Sequence, residues 1–219
     1  MSIANNLLSI KNSLPDHVTL VAVSKTKPIA DIMEAYDAGQ RIFGENKIQE
    51  MTQKWEEMPK DIQWHMIGHV QRNKVKYMAP FVSLIHGVDS LKLLKEINKQ
   101  AIKNERKICC LLQVHIAEEE TKFGFDEDEL LDMINHPEFK ELNHVVIEGV
   151  MGMATFTEDT EQIRKEFHKL NNIFKNLKLN FESIHILSMG MSGDYKIAIE
   201  EGSTMIRVGS SIFGARNYQ

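Results

Sequence analysis

With 219 residues, 42% of them hydrophobic, the chain can bury one sizeable core and falls within the range of one α/β barrel. A net charge of -5, with lysines and arginines scattered rather than clustered, argues against nucleic acid as a partner. No run of about 18 apolar residues reads as a membrane span, and the start Met1-Ser2-Ile3-Ala4-Asn5-Asn6 lacks the basic-then-apolar order of a secretory signal, so a cytoplasmic protein with no membrane partner is expected.

The first predicted element is a helix over Ile3 to Leu14, followed by an apolar, β-branched strand over Val18 to Ser24. A helix over Ile29 to Ala38 is closed by Gly39; a short strand at Arg41 to Phe43 leads to a helix over Lys47 to Met58, stopped by Pro59. Strands at Ile62 to Ile67 and Val82 to His86 precede a helix over Leu91 to Lys103, opened by Asp89 or Ser90. The fifth strand, Ile108 to His115, holds both cysteines, Cys109 and Cys110, whose side chains must point to opposite faces; core packing fits them and a disulfide framework does not.

Asp126 with Glu129 forms a capping-box start for a helix to Asn135, stopped by Pro137. Strand six is Val145 to Val150, and Thr157 is expected to open a long helix to Asn176. Strand seven spans Ser183 to Leu187, Ser192 opens a helix to Glu201 closed by Gly202, and strand eight is Thr204 to Val208. No linker composition marks a boundary, so one domain over 1–219 is expected: an α/β fold, a single (β/α)8 TIM barrel with an extra N-terminal helix.

In such barrels chemistry gathers where strands end at the C-terminal face. Strand one delivers Lys25-Thr26-Lys27-Pro28 there, and a lysine beside an apolar core and a second cation is a better nucleophile toward an aldehyde. Its plainer reading is a lysine that snorkels to solvent, and position alone does not separate Lys25 from Lys27.

Strands seven and eight deliver Ser188-Met189-Gly190-Met191-Ser192-Gly193-Asp194 and Arg207-Val208-Gly209-Ser210-Ser211-Ile212-Phe213-Gly214. Their hydroxyls, glycines and helix-start amides read together as a phosphate cup, although Ser192 alone could cap its helix and Gly209 alone could make a turn. Arg207 can act toward a ring nitrogen only as a donor.

After strand two, Asn46 fits a helix cap on spacing alone. His65 and His69 straddle a strand end and a glycine rather than one helix face, so no metal is expected. Met151, Met153, Met189 and Met191 read as core filler, and Glu118-Glu119-Glu120 as a solvated acidic loop.

The blocks Ala22-Val23-Ser24-Lys25-Thr26-Lys27-Pro28, Phe43-Gly44-Glu45-Asn46, Trp64-His65-Met66-Ile67-Gly68, Gln71-Arg72-Asn73-Lys74, Leu187-Ser188-Met189-Gly190-Met191-Ser192 and Arg207 to Arg216 resemble the pyridoxal phosphate homeostasis protein family across nearly the whole chain. The resemblance implies a barrel like the N-terminal domain of alanine racemase that holds pyridoxal 5'-phosphate as a Schiff base on Lys25. It further implies Ser192, Gly209 and Ser210 at the phosphate, Arg207 at the pyridine nitrogen, Asn46 near the ring and Met189 lining the cavity.

The expected role is intracellular pyridoxal phosphate (vitamin B6) homeostasis by buffering and handing over the cofactor, with apo enzymes as transient partners, no catalytic residues, and a monomer or weak dimer. The alternative is a weakly active racemase or lyase. Two-base racemisation needs a tyrosine from a further domain, and none of Tyr36, Tyr77, Tyr195 and Tyr218 is expected to stand in such a domain.

Overall fold

A computed structural model describes residues 2–118 and 123–215. In chain order the elements are α1 (Ile3–Ser13), β1 (Thr19–Val23), α2 (Ile29–Asp37), β2 (Ile42–Glu45), α3 (Ile48–Glu57), β3 (Gln63–Met66), α4 (Val75–Met78), β4 (Leu84–Val88), α5 (Leu91–Lys103) and β5 (Ile108–Gln113). They continue with α6 (Glu127–Asn135), α7 (Pro137–Lys140), β6 (Val145–Met151), α8 (Thr160–Asn180), β7 (Ile186–Ser188), α9 (Tyr195–Glu200), β8 (Met205–Val208) and α10 (Ser210–Phe213). The eight strands close in sequence order into one parallel barrel, β8 pairing back onto β1 with Val21 opposite Arg207.

Strand alternation sorts the core into two layers. Inward positions Val21, Leu84, Leu111, Met151, Ile186 and Met205 form an apolar plug inside the barrel. Outward positions such as Ala22, Phe43, Trp64, Ile85, Cys110, Leu112, Leu187 and Ile206 join the larger cluster under the helices. The adjacent cysteines obey the same rule: Cys110 is in the outer cluster, while Cys109 packs on the plug and donates to the Glu148 carboxylate at 3.1 Å. Burial, then Glu148, pushes the Cys109 thiol up to about 12, which leaves it a packing group rather than a thiolate.

The extra helix α1 packs against α2 and α10 on the outside. Ser90 caps α5 by accepting from the Leu93 amide, and Asp126 with Glu129 makes the reciprocal capping box of α6. Three predicted boundaries shift. The cap of α8 is Asp159, whose carboxylate takes the Glu161 and Gln162 amides, so Thr157 does not open it and the helix runs on to Asn180. Helix α9 begins at Tyr195, not Ser192. Asn46 does not cap α3, which starts from Lys47 without a side-chain cap.

The short turns Arg72–Lys74 and α4 fill the β3-to-β4 connection, where no helix was predicted because four residues carry no readable period. No helix among the described residues is long and apolar enough to cross a membrane. Of the acidic run, Glu119 and Glu120 lie outside the described residues, as do Arg216 and Tyr218.

Candidate functional site

The inward alternation that builds the plug continues past the strand ends and there changes chemistry. On β1 it runs Val21, Val23, Lys25; on β8 it runs Met205, Arg207, Gly209; and the last two residues of each series line one cavity of about 760 Å³ at the C-terminal mouth. Asn46, Ser192 and Ser210 line it too. Six of the seven residues expected at the site therefore share one space.

Met189 is the exception. On β7 the inward series is Ile186 and Ser188, so the alternation turns Met189 outward, fully buried in the cluster beneath the helices. The cavity is lined by Met153 and Met191 instead. Parity along a strand, rather than closeness to its end, decides which methionine faces the cavity.

The two lysines after β1 also part company. Lys27 reaches over the mouth and donates to the carbonyls of Phe213 (2.8 Å), Gly214 (3.3 Å) and Ala215 (3.1 Å), closing the C-terminal end of α10. Its three donors are committed there, whereas Lys25, two residues past the end of β1, lines the cavity.

Glycines bring the loops close enough to share the cavity. A Cβ on Gly209 would meet the Val23 carbonyl oxygen at 3.1 Å, and one on Gly68 would lie 2.5 Å from the Asn46 carbonyl oxygen. Gly190 holds φ +97, and a Cβ there would crowd Ala198 at 2.6 Å. Ser192, freed from capping α9, accepts the Gly209 amide at 3.2 Å and so ties the β7 loop to the β8 loop. Around Gly193 there is open space, and the first amides of α10, those of Ser210 and Ser211, have no carbonyl within that helix to meet. This donor set, two loops of hydroxyls and amides beside an arginine, suits an anion with several oxygens.

Beneath the mouth lies a polar layer that sequence reasoning missed. Buried Arg207 donates to the Ser188 carbonyl (3.0 Å), the Ser188 hydroxyl (2.7 Å) and the Gly152 carbonyl (3.1 Å). The line continues from Ser188 Oγ to His86 Nδ1 (3.2 Å) and from His86 Nε2 to His65 Nδ1 (3.0 Å). Since arginine can only donate, the Ser188 hydroxyl accepts from it. Along the rest of the line the donor at each bond follows the tautomers of the two imidazoles.

Burial pulls His65 down to about 3, and burial, then His65 and Arg207, hold His86 well below the usual imidazole range, so both rings are neutral at physiological pH. Burial also pulls Arg207 down to about 10, against the pull of Asp194, which leaves the guanidinium charged. The missed signal was parity again: His86 and Ser188 follow the inward Leu84 and Ile186 by two residues on their strands, and His65 pairs in register with Leu84.

His69 stands apart from this line, stacked on Phe123 with centroids 4.1 Å apart and paired with Asp89 at 3.2 Å. No cluster of metal-ligating residues occurs among the described residues.

A family model described as the alanine racemase N-terminal domain matches residues 1–217. The pyridoxal phosphate homeostasis protein of Haemophilus influenzae is 38% identical over 213 residues, 95% of this chain and 89% of that protein. The chain belongs to this family. The family's Aquifex aeolicus protein is 39% identical over 201 residues, covering 91% of this chain and 87% of its own length.

Among solved structures, PipY of Synechococcus elongatus is 36% identical and covers 97% of this chain and 100% of its own, with a TM-score of 0.92 without PLP and 0.88 with PLP bound. Alanine racemase from E. faecalis shares the barrel at 16% identity and TM-score 0.77, this chain spanning 58% of its length.

Proposed function

We propose that this chain, as one barrel domain, binds pyridoxal 5'-phosphate as a Schiff base on Lys25 and serves intracellular cofactor homeostasis by buffering and handing over that cofactor. The observation that carries the reading is that an inward lysine and two loops rich in hydroxyls and amides share one cavity of about 760 Å³. Family membership supports it, as does a relative 36% identical that was solved with PLP bound.

In this reading Ser192, Gly209 and Ser210 hold the phosphate, and Asn46 stands beside the ring. Gly193 and Gly209 leave room for the anion, since side chains there would occupy the cup or push β8 off β1. When bound, the cofactor supplies an aldehyde whose carbon joins a primary amine as one water leaves. Lys25 supplies that amine.

Arg207 meets the pyridine nitrogen as a donor. A guanidinium braced by Ser188 and Gly152 presents a proton it will not surrender at neutral pH, so the ring nitrogen stays unprotonated and withdraws electrons weakly. That suits holding a cofactor more than stabilising a carbanion on it. Apo enzymes that receive it, and a monomer or weak dimer as the working form, complete the proposal.

The test is borohydride reduction of protein loaded with pyridoxal 5'-phosphate, followed by peptide mass spectrometry. One adduct at Lys25, absent from Lys25→Ala, is the expected result; an adduct that persists in the variant defeats the reading.

A further inference from the structure

The residues on either side of Lys25 are both tied, on the outside of the barrel, to one charged cluster in which Glu45 and Lys54 are buried and Glu50 is partly exposed. Ser24 faces outward and donates its hydroxyl to Glu45 Oε1 at 2.6 Å, while its carbonyl accepts from Lys54 Nζ at 2.9 Å. Thr26 donates its amide to Glu50 Oε1 at 2.6 Å. Lys54 Nζ joins the anchors by donating to Glu45 Oε1 and to Glu50 Oε1, each at 2.7 Å. All three ammonium protons are thereby used on groups that hold the Lys25 turn.

Two features say that this cluster does not exist for stability. Glu45 is fully buried, and its second oxygen, Oε2, has no partner among the described residues, an arrangement that costs folding energy. A buried ion pair of this kind is commonly matched or bettered by packed apolar side chains. Thr26 holds φ +62, a left-handed conformation that a β-branched residue rarely adopts unless its surroundings impose it. Two contacts hold it there: the turn bond from the Lys27 amide to the Ser24 carbonyl at 3.0 Å, and the Glu50 carboxylate on the Thr26 amide.

We infer that Glu45, Lys54 and Glu50 form a positioning cluster that clamps the backbone before and after Lys25 and so aims its amine into the cavity. They touch no cofactor and act only through Ser24 and Thr26. Because Lys25 lies two residues beyond the end of β1, its direction depends on the turn that follows, and that turn is held in its strained form from α3. The role rests on the Lys25 reading of the site.

The test compares wild type, Glu50→Ala and Glu50→Gln, which retains an oxygen to accept the Thr26 amide. Amide hydrogen exchange on the cofactor-free protein reads the clamp, and the rate of borohydride-trappable adduct formation with pyridoxal 5'-phosphate reads the aim. For Glu50→Ala we expect Thr26 to exchange about tenfold faster or more, the size of a lost charge-assisted hydrogen bond, while amides of β1 stay protected. Adduct formation should slow by about tenfold with inorganic phosphate affinity unchanged, and Glu50→Gln should recover part of both.

Unchanged exchange at Thr26, or faster exchange with an unchanged adduct rate, overturns the inference. A wild-type adduct mapping to another lysine instead overturns the functional reading and this role with it.

Discussion

The lower and upper halves of the barrel lumen are built by the same inward alternation and end in opposite chemistry. Below, Val21, Leu84, Leu111, Met151, Ile186 and Met205 close the barrel with apolar side chains that need no partners. Two residues beyond Leu84, Ile186 and Met205, the inward His86, Ser188 and Arg207, joined by His65, need hydrogen bonds and obtain them from one another and from the Ser188 and Gly152 carbonyls. The lesson is that height along the strands, not hydrophobicity of the segment, separates the part that holds the fold from the part that faces a ligand.

Three substitutions sharpen that contrast. Leu111→Ala should cost about 2–5 kcal/mol in urea unfolding, since it removes a fully buried side chain from a plug with little room to collapse. If the loss were under about 1 kcal/mol, the plug would not be the stabilising half.

The polar layer should answer to pH instead. His65 and His86 keep folded-state pKa values below that of an unfolded imidazole, near 6.5. The unfolded chain therefore binds more protons in mildly acidic solution. Stability from this layer is full above that pH and is lost as pH falls through it toward about 3 for His65.

The expected slope is roughly 1 kcal/mol per pH unit for each imidazole once the unfolded rings are charged. His86→Leu should flatten the fall of the urea midpoint between about pH 7 and about pH 5. It should also cost about 1–3 kcal/mol at neutral pH, by stranding Ser188 Oγ and His65 Nδ1. An unaltered pH slope would remove His86 from the account.

The smallest effect on folding is expected at the mouth. Ser192→Ala loses the bond to the Gly209 amide and should lower stability by no more than about 1 kcal/mol. Its retention of pyridoxal 5'-phosphate during dialysis should drop about tenfold, a size in keeping with one lost hydrogen bond to a charged oxygen. A variant that keeps its cofactor as wild type does would break the assignment of the cup.

Much of the fold was legible in the chain. The eight strand segments and the major helices were readable because β-branched runs, capping residues, glycines and prolines are local signals, as with Ser90 before α5 and the Asp126–Glu129 box before α6. Where a boundary was misread, a competing contact had won: Asp159 rather than Thr157 took the first amides of α8, and the Ser192 hydroxyl went to the Gly209 amide, 17 residues away in the chain, rather than to its own helix.

Of the candidate site, the residue types at the ends of β1, β7 and β8 were legible, because a strand followed by Lys-Thr-Lys-Pro or by Gly-Ser-Ser carries its meaning in adjacent letters. Met189 was misplaced, His65 was weighed only as a metal ligand, and no role was read for His86, Ser188, Glu45 and Lys54, because these roles depend on which way a side chain faces and what meets it from a distant strand.

By itself, then, the order of residues determined the succession of elements, their parallel arrangement and the supply of lysine, serine and glycine at the strand ends, all products of short-range preference. Only the closed barrel decided that Lys25 rather than Lys27 occupies the inward position, that Arg207 is braced through Ser188 to two neutral histidines, and that Lys54 holds the turn from outside. Those outcomes come from bringing β1 against β8 and α3 against the turn that follows β1, contacts between residues far apart in the chain, which no local pattern encodes.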